Sequence, residues 1–255
     1  MKKTCLTILF LLPIIFIISC DEDSISSNKF ESEVNESQVI SISAQTNVIV
    51  GNTNGSVVIS ASDTASNIYC TITKKVKSKI SENDAKSHLS QIIIEVEKNA
   101  IDIKIEVEHP KNDDREYEIK LDIILPDRFN YVLNLGNGIV TVKATARTLT
   151  VNLGNGSVQA DVTLIDTCVA YVSLGNGNVD LKIPGNTNAR VNATVGNGII
   201  NSTGLNFQNQ QITSKQFNGT LGNGAGTIVL NLGNGNISMS KNMEKLIKIG
   251  MGLSA

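Results

Sequence analysis

One tripeptide recurs six times in the second half of this 255-residue chain: Gly136-Asn137-Gly138, Gly154-Asn155-Gly156, Gly175-Asn176-Gly177, Gly196-Asn197-Gly198, Gly222-Asn223-Gly224 and Gly233-Asn234-Gly235. Successive starts lie 18, 21, 21, 26 and 11 residues apart, a period near 20 with one insertion and one short closing unit. A chain built this way stacks like units on one another, since one unit of that size cannot bury its own apolar face. Leu135, Leu153, Leu174, Val195, Leu221 or Leu232 precedes each triplet. Two residues after five of them stands Val140, Val158, Val179, Ile200 or Ile237, with Gly226 the exception. Between triplets the period is two: Val140, Val142 and Ala144 alternate with Thr141 and Lys143, and Leu149, Val151 and Leu153 with Thr150 and Asn152. One strand face is dry and the other wet.

Two all-β architectures fit the pattern. In a single-stranded, parallel β-solenoid (β-helix), each unit is one coil, the Gly-Asn-Gly corners stack, and Asn137, Asn155, Asn176 and Asn197 form an amide ladder. In a meander of hairpins, Asn-Gly supplies tight turns instead. The near-constant unit length, and an insertion from Ser202 to Asn218 that leaves the next unit intact, favour the solenoid.

The preceding section is different. Residues 21–135 hold 32 charged side chains and residues 136–240 only eight, while sixteen of the 20 glycines fall in the latter. Ile92, Ile94 and Val96 followed across Asn99-Ala100 by Ile103, Ile105 and Val107 read as a hairpin. Ser81 is placed to cap a short helix ending near Leu89, and an alternating run from Glu118 stops at Pro126. Gly51 to Gly55 reads as a turn.

The N-terminus is a processing signal. Lys2 and Lys3 precede an apolar run from Leu6 to Ile18, which is short of the roughly 20 residues a bilayer-spanning helix needs. It closes on Ile17-Ile18-Ser19-Cys20, which resembles the lipobox of bacterial lipoproteins, where the Cys is acylated and becomes the new N-terminus. The expected divisions are a signal peptide at 1–19, lipidated Cys20 and an acidic tether to 37, one domain over 38–240 (a charged section to 135, then the repeat section), and a tail or cap over 241–255. The product is expected to be exported and held on a membrane, the outer membrane or cell surface, through its lipid. Acids just after a lipidated Cys resemble surface-export signals, whereas Asp21 directly after it resembles an inner-membrane retention signal. Of four cysteines, only Cys70 and Cys168 would remain in the body, both in strand-like surroundings where a thiol acts as a small buried hydrophobe; a single bridge between them is the alternative.

Val50 to Val57, Leu125-Pro126, the repeated Leu-Gly-Asn-Gly, and Phe217-Asn218-Gly219-Thr220-Leu221-Gly222-Asn223-Gly224 running into Leu230 to Ile237 together resemble the "putative adhesin" domain family of bacteria. The resemblance spans about 38–240 and implies an exported β-solenoid envelope protein. It carries Asn where many relatives have Ser, and it names no ligand and no catalytic residue.

The net charge of -2 excludes a general electrostatic attraction to nucleic acid, and 4% aromatics without Trp argues against stacking platforms. The triplets lack the third glycine or Lys-Ser/Thr of nucleotide loops, and lack the carboxylates of calcium-binding repeats except near Asp180. His88 and His109 belong to no metal-ligand or catalytic cluster, and Asp113, Asp114, Glu116 and Glu118 read as solvated surface. The expectation is therefore no metal, no cofactor and no catalytic residue. The expected reading is a binding module whose Thr141, Thr150, Asn152, Gln159, Thr163, Asn192, Thr194 and Asn231 offer one polar face to a glycan or protein, with plain solubility of a β face as the other reading of the same residues. A structural or regulatory envelope component and, third, a polysaccharide-active enzyme are the alternatives. Oligomeric state is left open.

Overall fold

The structure, a computed structural model, describes residues 29–242 apart from 112, 113 and 128. The signal peptide, the lipobox and Cys20 lie outside these residues, as does the tail beyond Asn242. Eleven strands and one helix follow in chain order: β1 (Phe30–Ile40), β2 (Asn47–Ala61), β3 (Ile68–Ser78), α1 (Glu82–Leu89), β4 (Ile93–Lys98), β5 (Asp102–Glu108), β6 (Arg115–Leu125), β7 (Asn130–Ile183), β8 (Ala189–Thr203), β9 (Phe207–Ile212), β10 (Gln216–Leu221) and β11 (Gly226–Lys241).

Local chemistry sets several boundaries. The Ser81 hydroxyl accepts the Asp84 N–H at 3.1 Å and opens α1. The Asn99 carboxamide accepts the N–H groups of Ile101 and Asp102, both at 2.8 Å, and turns β4 back on β5. The hairpin, the capped helix and the strand ending before Pro126 thus stand where the alternation places them.

The pairing differs from the expected single-stranded parallel solenoid. The strands form one mixed sheet in the order β1-β3-β6-β2-β7-β11-β8-β10-β9, with β5 on β2 and β4 on β5. Parallel pairing joins β2 to β5, β6 and β7, and β11 to β7 and β8. Both ends are antiparallel: β1 on β3 and β3 on β6 at one, β10 on β8 and on β9 at the other. Period-two alternation fixes which face of a strand is buried and leaves its partner and direction open, and here antiparallel strands, the β9–β10 hairpin among them, supply the terminal partners. The 202–218 insertion is one of these devices, since it carries β9 and leads into β10.

Three further expectations give way. The expected tether to residue 37 is already β1 from Phe30, held on β3 by ion pairs Glu31–Lys75 and Glu36–Lys74. Gly51 to Gly55 is no turn but lies inside β2. The last triplet does not follow the others in chain order: β11 inserts between β7 and β8, so Asn234 sits between Asn176 and Asn197.

The interior is lined from both sides of each triplet. Leu133 and Leu135 are buried before the first triplet and Val140 and Val142 after it, so the inward set moves from odd to even residues there. In the next winding Leu149, Val151 and Leu153 give way to Val158 and Ala160 in the same manner. The one extra residue per triplet changes which alternate side chains face inward and lets the strand continue around the core.

Candidate binding surfaces

The triplets make a continuous column on the outside of the sheet. Gly138, Gly156, Gly177, Gly198 and Gly235 share φ values between 130 and 142°, and each packs on the backbone of the next layer. Gly222-Asn223-Gly224 is not a member: its glycines have φ of 55 and 70°, and it forms the turn between β10 and β11. The Asn side chains of the column bond head to tail. Nδ2 of Asn137 donates to Oδ1 of Asn54 at 2.8 Å, Asn155 to Asn137 at 2.7 Å, Asn176 to Asn155 at 2.7 Å, Asn234 to Asn176 at 2.6 Å and Asn197 to Asn234 at 2.8 Å. The ladder has six members, including Asn54, which lies outside the six triplets.

Beside it, on the side entering the triplets, Asn152 donates to Asn134 at 2.8 Å and Thr194 to Asn231 at 2.8 Å, while Asn231 pairs in register with Ser173. Asn134, Asn152 and Ser173 line a shallow groove along Leu135-Gly136 and Leu153-Gly154. The eight residues expected to form one polar face do not share a face: Thr150, Asn152, Asn192, Thr194 and Asn231 precede their triplets, and Thr141, Gln159 and Thr163 follow theirs. The switch of inward set at the triplet separates the two groups.

A larger cleft lies at the β2 end of the column. β5 and β6 underlie the two parts of β2 and are joined through residues 109–114 instead of a triplet. The space left below Asn54 is about 790 Å³ and meets Lys77, His109, Lys111, Glu118 and Asn137. His109 stacks on Tyr117 with ring centroids 4.7 Å apart, and His88 Nδ1 lies 2.9 Å from the Tyr117 hydroxyl. Asp84 joins α1 to this region, accepting from Arg115 Nε and Nη2 at 2.8 and 2.7 Å and from Ser78 at 2.6 Å. Those bonds, the Arg115 pair first, lower its carboxyl to about 2.

The remaining titratable candidates are dispersed. Asp180 lies 3.6 Å from Lys182, Glu116 is paired with Lys29, and Asp114 is near Lys79; Asp113 is outside the described residues. No three His, Cys, Asp or Glu side chains gather as a metal-binding group among the described residues. Cys70 and Cys168 are buried and unbridged. Burial, with Asp122 adding to it, pushes the Cys70 thiol up to about 12.

No family model matches the chain, and no curated protein matches it. Among solved structures, one from Clostridium sporogenes described as a "putative cell adhesion protein" has a TM-score of 0.56 at 16% identity, covering 83% of this chain and 100% of that one. The two share a fold. A "putative adhesin" from Parabacteroides merdae (TM-score 0.30, 9% identity, 82% of this chain and 96% of that one) and a "putative lipid binding protein" from Parabacteroides distasonis (0.31, 12%, 83% and 97%) are more distant in geometry. No helix among the described residues is long and apolar enough to cross a membrane.

Proposed function

We propose that this chain is a lipid-anchored envelope protein whose all-β body is a non-catalytic, adhesin-like binding module for a glycan or protein at the cell surface. The observation that carries this reading is the column of exposed, register-locked amides. A primary amide has two donor hydrogens and two acceptor lone pairs, and the ladder engages only one of each on its interior members. Each interior Asn thus retains one donor and one acceptor for a partner. Their positions repeat at the strand spacing of about 4.8 Å, and the ladder bonds have already restricted their rotamers, so little side-chain entropy is lost on binding.

The shared fold with the Clostridium sporogenes protein supports the adhesive reading, and the Ile17-Ile18-Ser19-Cys20 motif supports the anchor. Arrays of glycans and envelope proteins, probed with the wild type, with a groove variant carrying Asn134→Ala and Asn152→Ala and with a ladder variant carrying Asn155→Ala, test it. The expected result is a ligand whose affinity falls about tenfold or more in at least one folded variant, a loss of about 1.4 kcal/mol. Silence on both arrays, or binding indifferent to both the groove and the ladder, removes the proposal.

A further inference from the structure

The amide ladder has a direction. Every Nδ2 donates toward β2, from Asn197 through Asn234, Asn176, Asn155 and Asn137 to Asn54. Aligned hydrogen-bonded amides polarise one another, so the donor end of such a chain is a better donor than an isolated carboxamide. That end is Asn54, whose Nδ2 has no hydrogen-bond partner among the described residues. It lies in the wall of the cleft under the column.

Five charged side chains line the same cleft. Arg115 is engaged by Asp84 and Glu116 by Lys29, so each of these charges is already met. Lys77 stands in register opposite Glu116, and Glu118 opposite Lys75, within electrostatic reach, but Lys77, Lys111 and Glu118 form no salt bridge within 4 Å among the described residues, which leaves their hydrogen-bonding atoms open to a ligand. Two ammonium groups and a polarised amide donor favour an anion, while Glu118 repels a bare anion and accepts hydroxyl hydrogens. The set suits a ligand bearing a carboxylate and hydroxyls on one small ring. Ile139, 47% exposed, and Pro110 offer apolar surface for the ring itself.

We infer that this cleft binds an acidic saccharide of the uronic acid type. Its carboxylate meets Asn54 Nδ2, Lys77 and Lys111, and its ring hydroxyls donate to Glu118. The inference rests on the binding-module reading above and gives it a ligand class and a location separate from the groove at Asn134 and Asn152.

The test is calorimetric titration of the full chain with an oligogalacturonate trimer, its methyl ester and inorganic phosphate. The trimer is expected to bind, the ester about tenfold or more weaker, and phosphate weaker than the trimer by at least as much. Asn54→Asp keeps an oxygen for Asn137 to donate to, removes the free donor and adds a negative charge. It is expected to abolish trimer binding with a melting temperature within about 2 °C of wild type. Lys77→Ala with Lys111→Ala is expected to do the same, so loss of fold in one variant does not decide the matter. Equal binding of acid and ester, phosphate binding equal to that of the trimer, or full binding by folded Asn54→Asp overturns the inference. If a saccharide binds and only Asn134→Ala with Asn152→Ala removes it, the cleft inference fails while the binding-module reading stands. If neither the trimer nor any member of the glycan and protein arrays binds, both fail.

Discussion

Gly156→Ala strikes the column at its middle. Gly156 has φ of +137°, and a Cβ built there lies 1.7 Å from the carbonyl oxygen of Gly138 and 2.7 Å from its carbon. Neither atom can step aside, because Gly138 is itself packed on the Gly55 carbonyl, 1.5 Å from where its own Cβ would be. An L-residue held in a glycine-only region costs about 1–3 kcal/mol. Overpacking against fixed neighbours adds about 1–3 kcal/mol, for a total of about 2–6 kcal/mol. At about 2–4 °C per kcal/mol for a domain of this size, the melting temperature should fall by between about 4 and 24 °C.

Asn155→Ala, one residue earlier, removes two exposed ladder bonds and should cost about 1–2 kcal/mol. Gly154→Ala separates the two contributions, since its Cβ would approach the Gly136 carbonyl oxygen to 2.3 Å without the left-handed backbone. Thermal and urea denaturation followed by circular dichroism measure all three. A Gly156→Ala protein that melts within about 2 °C of wild type would refute the claim that close backbone stacking, rather than the ladder, requires the triplets.

Other outcomes follow from particular groups. The Asp84 carboxyl is lowered from its ordinary 3.8 to about 2 by Arg115 and Ser78, so its contribution is fully present above about pH 4 and is lost as the pH falls from about 4 to about 2. Melting curves across that range should show a drop that Asp84→Asn lacks, the variant starting lower at neutral pH; an identical drop in both would discount the Asp84 cluster. Cys70 and Cys168 are buried and their thiols are raised, so in protein lacking residues 1–20 neither should react with a thiol reagent at about pH 8 until denaturant is added. Rapid native labelling would contradict their placement. Mass spectrometry of the cell-derived protein should find an acylated N-terminal Cys20, and Cys20→Ala should release the protein from the membrane fraction. An unmodified N-terminus elsewhere would end the anchor reading.

The triplets, the alternation of inward residues, the hairpin across Asn99 and the helix cap at Ser81 are legible in the sequence because each is a local rule. Partner choice is not, because alternation specifies a face and says nothing of what lies alongside. Some signals are present but faint. Asn54-Gly55 keeps two of the three repeat residues, but Thr53 in place of glycine hides its membership of the column. Gly226, where other units have Val or Ile, and the short 11-residue interval both mark Gly222-Asn223-Gly224 as a turn. The glutamates of β1 read as tether because a sheet edge buries little, yet Glu31 and Glu36 find Lys75 and Lys74 across the strands. The ladder's open donor end and the cleft beneath it depend on what replaces a triplet between β5 and β6, which no repeat pattern encodes.

The central claim is a binding module facing outward from the cell, and it is tested most directly by adding protease to intact cells and following this protein beside a periplasmic control. An outward-facing module is degraded while the control survives. Survival of both, with degradation only after the envelope is opened, would place the module inside the envelope and contradict the adhesin-like reading.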